Sequence, residues 1–273
     1  MLSGDLIRKI RKIEIKSNKL VEEVFSGEYR SGFRGRGIEF DDIRQYIPGD
    51  DVRNIDWNVT ARHNKAYVKQ FCEEREMNLF LLIDMSRSNS FGRKRDLISE
   101  IAATLAFSAC KNNDRVGVIF FTDRIEKLIP SNNGRKHVLS IIENILEYQP
   151  QSTGTNIAGS LQFFNRIEKK KCVVFLISDF LDEGYEKDIR ITSNHHDLVL
   201  VRVVNRAEER IPAGAIFTFQ DLESGQTAVL NNMHREYRPD SQLGPYKPNL
   251  INVYTDEDYV KPLKQFFKRR SRR

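Results

Sequence analysis

An α/β fold with a doubly wound, mainly parallel sheet is what this sequence predicts, and three observations predict it. From residue 78 onward, short apolar runs such as LFLLI, VGVIFF and CVVFLI alternate with longer stretches of helical spacing. Strands separated by helices of that length imply right-handed crossovers and parallel neighbours. Two of the runs end abruptly in a carboxylate, at Asp84 and Asp179. In open α/β sheets, ligands bind beyond the carboxyl ends of the strands, where the winding reverses.

The elements follow in order. Leu6, Ile10, Ile13, Leu20, Val21 and Val24 recur near helical spacing among Lys, Arg and Glu, so residues 4–25 predict an amphipathic helix that needs a surface to lie on. SGEYRSGFRGRG, with four glycines in residues 27–37, predicts irregular chain. EFDDIRQY reads as a short helical turn, IPGDD as a turn, and the alternation around Tyr67, Lys69 and Phe71 as a strand. Strands are then predicted at 78–84, 115–122, 125–129, 171–178, 197–204 and 215–220. Helices are predicted at 94–111, 134–147, 156–168, 184–194 and near 257–268. The two residues Asp123-Arg124 permit one antiparallel hairpin at a sheet edge, and ESGQTAVL a turn into an edge strand. The expected organisation is an N-terminal helix and irregular appendage over 1–75, followed by an α/β domain over 76–273.

Composition narrows the function classes. Of 273 residues, 40% are hydrophobic and 30% charged, enough for a core beneath a well-solvated surface. The longest apolar runs fall far short of the roughly 20 residues that cross a bilayer, so no membrane span is expected. The N-terminus MLSGDLIRKIRKIEIK intersperses charge and lacks the apolar stretch of a secretory signal. Cys72, Cys110 and Cys172 show no CxxC spacing and predict reduced thiols in a cytoplasmic protein. The net charge is +6, but the last six residues, KRRSRR, carry five positive charges. That is a basic tail, not a broad basic face, and nucleic acid is not an expected partner.

The chemistry gathers at the strand ends. The first strand delivers Asp84, with Ser86 and Ser88 in the turn after it. The strand CVVFLIS delivers Asp179, and STGTNIAGSL supplies Thr153 and Thr155 ahead of a helix. In an extended turn alternate residues face the same way, so Ser86 and Ser88 can share a side while Met85 and Arg87 point elsewhere. Two carboxylates and several hydroxyls form an all-oxygen set suited to Mg²⁺, with Mn²⁺ an alternative; no sulfur or imidazole suggests zinc or copper. The plainer reading is that both aspartates cap helices and the serines make turns.

Asp84-x-Ser86-x-Ser88, a threonine in a Gly-Thr turn and a later strand-end aspartate together resemble the metal-ion-dependent adhesion site of von Willebrand factor A domains. By that resemblance the ligands are Asp84, Ser86, Ser88, Thr155 and Asp179. Thr155 is preferred to Thr153 because the family's threonine sits just before the helix, here after Gly154. FRGRGIEFDDIRQYIPGDDVRNIDWNVTARHNKAYVKQF further resembles the signature of the bacterial family known as domain of unknown function 58, from about residue 28 to the C-terminus. The resemblance implies a von Willebrand factor A-like fold, a binding role rather than an enzymatic one, and a MoxR-type AAA+ ATPase as partner in chaperone-like or complex-remodelling work.

Two alternatives stay open. The segment RGRG…GDDVRNIDW pairs arginines with aspartates, which ties irregular backbone together. The same Arg34, Arg36, Arg44, Arg53 and Trp57 are residue types that anchor protein interfaces. A strand-end aspartate beside Mg²⁺ also suits phosphoryl transfer with Asp84 as nucleophile. Such enzymes place a second carboxylate two residues on, where this chain has Ser86, and supply a lysine near the phosphate, for which no lysine of this sequence has an obvious claim. The histidines, including His195-His196, lack a supporting set of ligands or a nucleophile.

Overall fold

The structure is a computed structural model that describes residues 4–21, 38–63, 65–73, 77–90, 93–206, 215–220, 227–232, 243 and 249–270. The chain forms two compact units, one over residues 34–76 and the other over residues 1–33 with 77–273.

In the smaller unit β1 (Ile38–Gln45) pairs antiparallel with β2 (Tyr67–Glu73). The predicted helical turn at EFDDIRQY is therefore a strand. The pairing register slips between Phe40 and Asp42. That extra residue puts Phe40 and Ile43 three apart, so a bulged strand imitates helical spacing. Between the strands lie a single 3₁₀ turn (Val52–Asn54) and the short helix α2 (Trp57–His63), neither of them predicted. Asp56 starts α2, its Oδ1 accepting the amides of Asn58 at 3.0 Å and Val59 at 3.2 Å. Gly49 has φ +110°, a value side chains avoid, and makes the IPGDD turn.

The larger unit is built on a six-stranded sheet. Its strands are β3 (Asn78–Asp84), β4 (Arg115–Phe121), β5 (Ile125–Asn132), β6 (Val173–Ser178), β7 (Asp197–Val204) and β10 (Leu250–Tyr254), in the order β10-β7-β6-β3-β4-β5. All neighbours are parallel except β5, which runs antiparallel to β4 at one edge as predicted. The strand predicted at 215–220, β8 (Ala215–Gln220), forms but pairs with β9 (Thr227–Asn232) in a separate two-stranded sheet. The sixth strand of the main sheet is β10, which was not predicted. Its inward residues are Ile251 and Val253, too short an alternation to stand out.

Both faces of the sheet are covered, and residue parity separates them. Leu79, Leu81 and Ile83 face one side with Val116, Val118, Phe175 and Ile177. There they meet α3 (Lys94–Lys111), α4 (Arg135–Glu147) and α7 (Val260–Arg270). Phe80, Leu82, Ile119, Phe121, Val174 and Leu176 face the other, against α5 (Ile157–Ile167) and α6 (Glu186–His195). Burial on both faces explains why these strands read as continuous apolar runs. Each fully buried Leu or Ile contributes about 1.5–3 kcal/mol. Gly117 allows the Phe80 ring in: a Cβ there would lie 2.4 Å from Phe80 Cε1.

The amphipathic helix finds its surface. α1 (Gly4–Leu20) packs on α3 and α4, burying Ile13 and Ser17, and so belongs to the larger unit. Ser17 Oγ meets Thr104 Oγ1 at 3.3 Å. With the sheet on one side and α1 on the other, α3 is buried over most of its length, Ser99, Thr104 and Ser108 included. The described residues include no helix long and apolar enough to cross a membrane. Cys110 and Cys172 are free thiols.

Candidate metal centre

The strand order fixes where a site should be. The chain leaves β3 toward β4 on one side, and later builds β6, β7 and β10 on the other. The winding reverses between β3 and β6, and the crevice at their carboxyl ends is the place such sheets leave for a ligand. Asp84 closes β3, and Asp179 follows β6 directly.

Asp84 has no exposed surface. Its Oδ1 accepts the Ser86 amide at 2.9 Å, and its Oδ2 accepts the Ser178 hydroxyl at 2.6 Å. Ser178 ends β6, and its Oγ accepts the Phe180 amide at 3.0 Å. One hydroxyl thus ties the ends of both strands together. Asp179 is 4% exposed; its Oδ1 accepts the Leu181 amide at 3.2 Å and its Oδ2 the Lys94 ammonium at 3.1 Å. Phe180 has φ +60°, a costly conformation for a bulky residue, held by its burial against Tyr185 at 6.0 Å between ring centroids.

The two carboxylates feel each other. Burial raises the Asp84 carboxyl most, and the neighbouring Asp179 charge raises it further, to about 7, against the hydrogen bonds from Ser178 and Ser86. The serines stand as predicted. Ser86 is buried, Ser88 half-buried, and their Oγ atoms lie 3.1 Å apart. Met85 turns into the core and Arg87 to solvent. Asn89 is fully buried beside them, its Nδ2 3.4 Å from Ser86 Oγ, and its Oδ1 has no hydrogen-bond partner.

A third loop closes on this pair. The Arg87 amide donates to Thr153 O at 3.1 Å, joining the serine turn to the threonine loop. Thr155 is half-buried and Thr153 exposed. Asn156 caps α5 by accepting the Gly159 amide at 2.7 Å. Asp182, just beyond Asp179, accepts the Ile157 amide at 2.8 Å and links the threonine loop to the aspartate loop. Behind them Glu126 accepts from Thr122 Oγ1, Tyr148 OH and the amides of Gln151 and Ser152 at 2.8–3.1 Å. Burial raises its carboxyl, but these donors outweigh that and hold it below the usual glutamate range.

Asp84, Ser86, Ser88 and Asp179 therefore gather at the carboxyl ends of β3 and β6, and the loop of Thr155 is hydrogen-bonded to the serine turn. Among the described residues no group of three or more His, Cys, Asp or Glu side chains is placed to share a metal. An ion here would rely on two carboxylates and hydroxyls, a donor set that fits a small hard cation. Sequence reasoning missed Ser178, Asp182, Glu126 and Lys94. Lys94 alone carried a signal: a lysine opening a helix stands where acidic residues are preferred.

Arg44, Arg53 and Trp57 lie in the smaller unit, while Arg34 and Arg36 lie outside the described residues. Arg44 grips Asp50 through two 2.7 Å bonds, and Arg53 pairs with Asp51 at 2.7 Å, the ties expected of this segment. Trp57 is 70% exposed. His195 bonds Ile191 O from the end of α6, and His196 packs on Phe164.

The larger unit is a doubly wound, mainly parallel α/β sheet with one antiparallel edge strand. The chain belongs to the family described as Protein of unknown function DUF58, whose model matches residues 42–244. A relative, uncharacterized protein Rv1480 of Mycobacterium tuberculosis, is 29% identical over 237 residues, covering 82% of this chain and 75% of that one. Among solved structures, the conserved hypothetical protein BatB of Bacteroides thetaiotaomicron is similar over 72% of this chain and 100% of its own, at 12% identity and a TM-score of 0.46. A von Willebrand factor type A protein from Catenulispora acidiphila is similar over 76% of this chain and 43% of its own, at 9% identity and a TM-score of 0.41.

Proposed function

We propose that this protein is a metal-dependent protein-binding module. Asp84, Ser86, Ser88, Thr155 and Asp179 would hold Mg²⁺, or Mn²⁺ in its place. The ion would supply an open coordination position for a carboxylate on a protein partner. The observation that carries this reading is the pair of buried, mutually repelling carboxylates at the sheet's switch point, flanked by two hydroxyls 3.1 Å apart. The two buried carboxylates exceed the single ammonium of Lys94 beside them, and an uncompensated buried charge is costly. A metal–carboxylate bond in such a crevice is directional and less screened than a surface ion pair.

The partner we infer is a MoxR-type AAA+ ATPase, with chaperone-like or complex-remodelling work as the outcome. That inference rests on family resemblance. The exposed Trp57 and Arg53 of the smaller unit offer a second contact surface of the residue types that anchor interfaces. Phosphoryl transfer is less well supported. Asp84 has no exposed surface and both of its oxygens already accept hydrogen bonds, which suits a fixed ligand better than an attacking nucleophile.

The test is binding of the purified MoxR-type ATPase from the same organism to immobilised protein, in Mg²⁺ and in EDTA. Binding lost in EDTA and in Asp84→Ala, with an unchanged circular dichroism spectrum, is the expected result. Equal binding under all three conditions would overturn the reading.

A further inference from the structure

Lys94 is the first residue of α3, 1% exposed, with its Nζ 3.1 Å from Asp179 Oδ2. Two physical facts count against a lysine there. An ammonium removed from water is costly unless a charge meets it, and a cation at a helix N-terminus opposes the helix dipole. Asp179 offsets both. The ammonium thus stands within the anionic crevice, against one of the two carboxylates that would serve an ion.

We propose that Lys94 is a tethered counter-cation of this crevice, seated on Asp179 in the metal-free protein and displaced from it when a divalent ion binds. The proposal rests on the metal-binding reading above and adds a determinant to it. With Lys94 in place the crevice holds two carboxylates and one ammonium, so an incoming ion meets a weaker field than the carboxylates alone would give. The lysine lowers the affinity of the site, keeps the empty crevice folded, and makes ion binding a rearrangement instead of a simple filling. Unlike the lysines of α1, which pair across the surface with Asp96 and Glu100, Lys94 is sealed beside its partner.

The experiment is calorimetric titration of MnCl₂ into the full chain, as wild type and as Lys94→Met, which keeps the length and loses the charge. Removing one positive charge beside the ion is expected to tighten Mn²⁺ binding by about ten-fold or more at protein-like dielectric. The melting temperature of metal-free Lys94→Met should fall below that of wild type, and Mn²⁺ should restore it. Binding within two-fold of wild type, or weaker binding, would overturn the proposal while leaving the metal reading intact. Absence of Mn²⁺ binding by both proteins would overturn the metal reading and this inference together. A second measurement needs no variant: the ¹⁵N resonance of the buried Lys94 ammonium in wild type should shift on Mn²⁺-free addition of Mg²⁺. An unshifted resonance at Mg²⁺ saturation would contradict displacement.

Discussion

Aspartates and basic side chains meet in both units of this molecule, under opposite conditions. In the smaller unit Arg44–Asp50 and Arg53–Asp51 are matched pairs, and the guanidinium of Arg53 is 86% exposed. At the switch point of the larger unit Asp84, Asp179 and Lys94 are sealed, and the negative charges outnumber the positive one. Water screens the first set, so it holds local backbone and stores little energy. Burial leaves the second set unscreened, and its excess charge becomes an attraction for a cation. The same residue types are ties in one place and, in the proposed reading, a binding site in the other because of solvent access.

The sharpest way to break that comparison is Asp84→Asn. It should weaken Mn²⁺ affinity by more than the roughly 10–100-fold typical of outer-sphere partners. The metal-free variant should melt no lower than wild type, because one of two repelling charges is gone. Calorimetry and thermal denaturation read both. Next is Ser178→Ala, which strips a hydrogen bond from the buried Asp84 carboxylate. A loss of about 1–3 kcal/mol in urea denaturation is expected, with ion affinity falling about ten-fold.

Glu126→Gln probes the scaffold behind the threonine loop. The amide cannot accept from all four donors, so about 1–2 kcal/mol of stability should be lost at neutral pH. The folded Glu126 carboxyl is held below its ordinary range, so this stability is present above the unfolded value and lost as pH falls through the folded one. The gap between wild type and variant should therefore narrow as pH falls below the ordinary glutamate range, as denaturation curves across pH will show. The smallest effect belongs to Arg53→Ala in the exposed set, where melting temperature and Mn²⁺ affinity should both stay at the wild-type values. A change in either would undo the contrast between the two regions.

The larger unit was legible because its strands are buried on both faces. LFLLI and CVVFLI are apolar without interruption, and the polar residues that follow them, Asp84 and Ser178-Asp179, stand out although they too are buried. The serine pairing was legible too, since the Ser86 and Ser88 hydroxyls do meet, although the chain bends into a 3₁₀ turn over Ser88–Ser90 instead of running extended. What stayed hidden depended on pairing. The bulge in β1 turned an alternation into a three-residue step. β10 shows two inward residues and becomes a strand by lying beside β7. Ser178 and Asp182 matter through partners 94 and 25 residues away, a relation no local pattern encodes. Lys94 was visible as a misplaced charge at a helix start, but its partner lies 85 residues on.

The most direct measurement is anomalous diffraction at the manganese edge from crystals grown in saturating MnCl₂. A single strong peak within coordinating reach of the Asp84, Ser86 and Ser88 oxygens is the predicted result. Crystals of the saturated protein with no anomalous peak between the ends of β3 and β6 would contradict it.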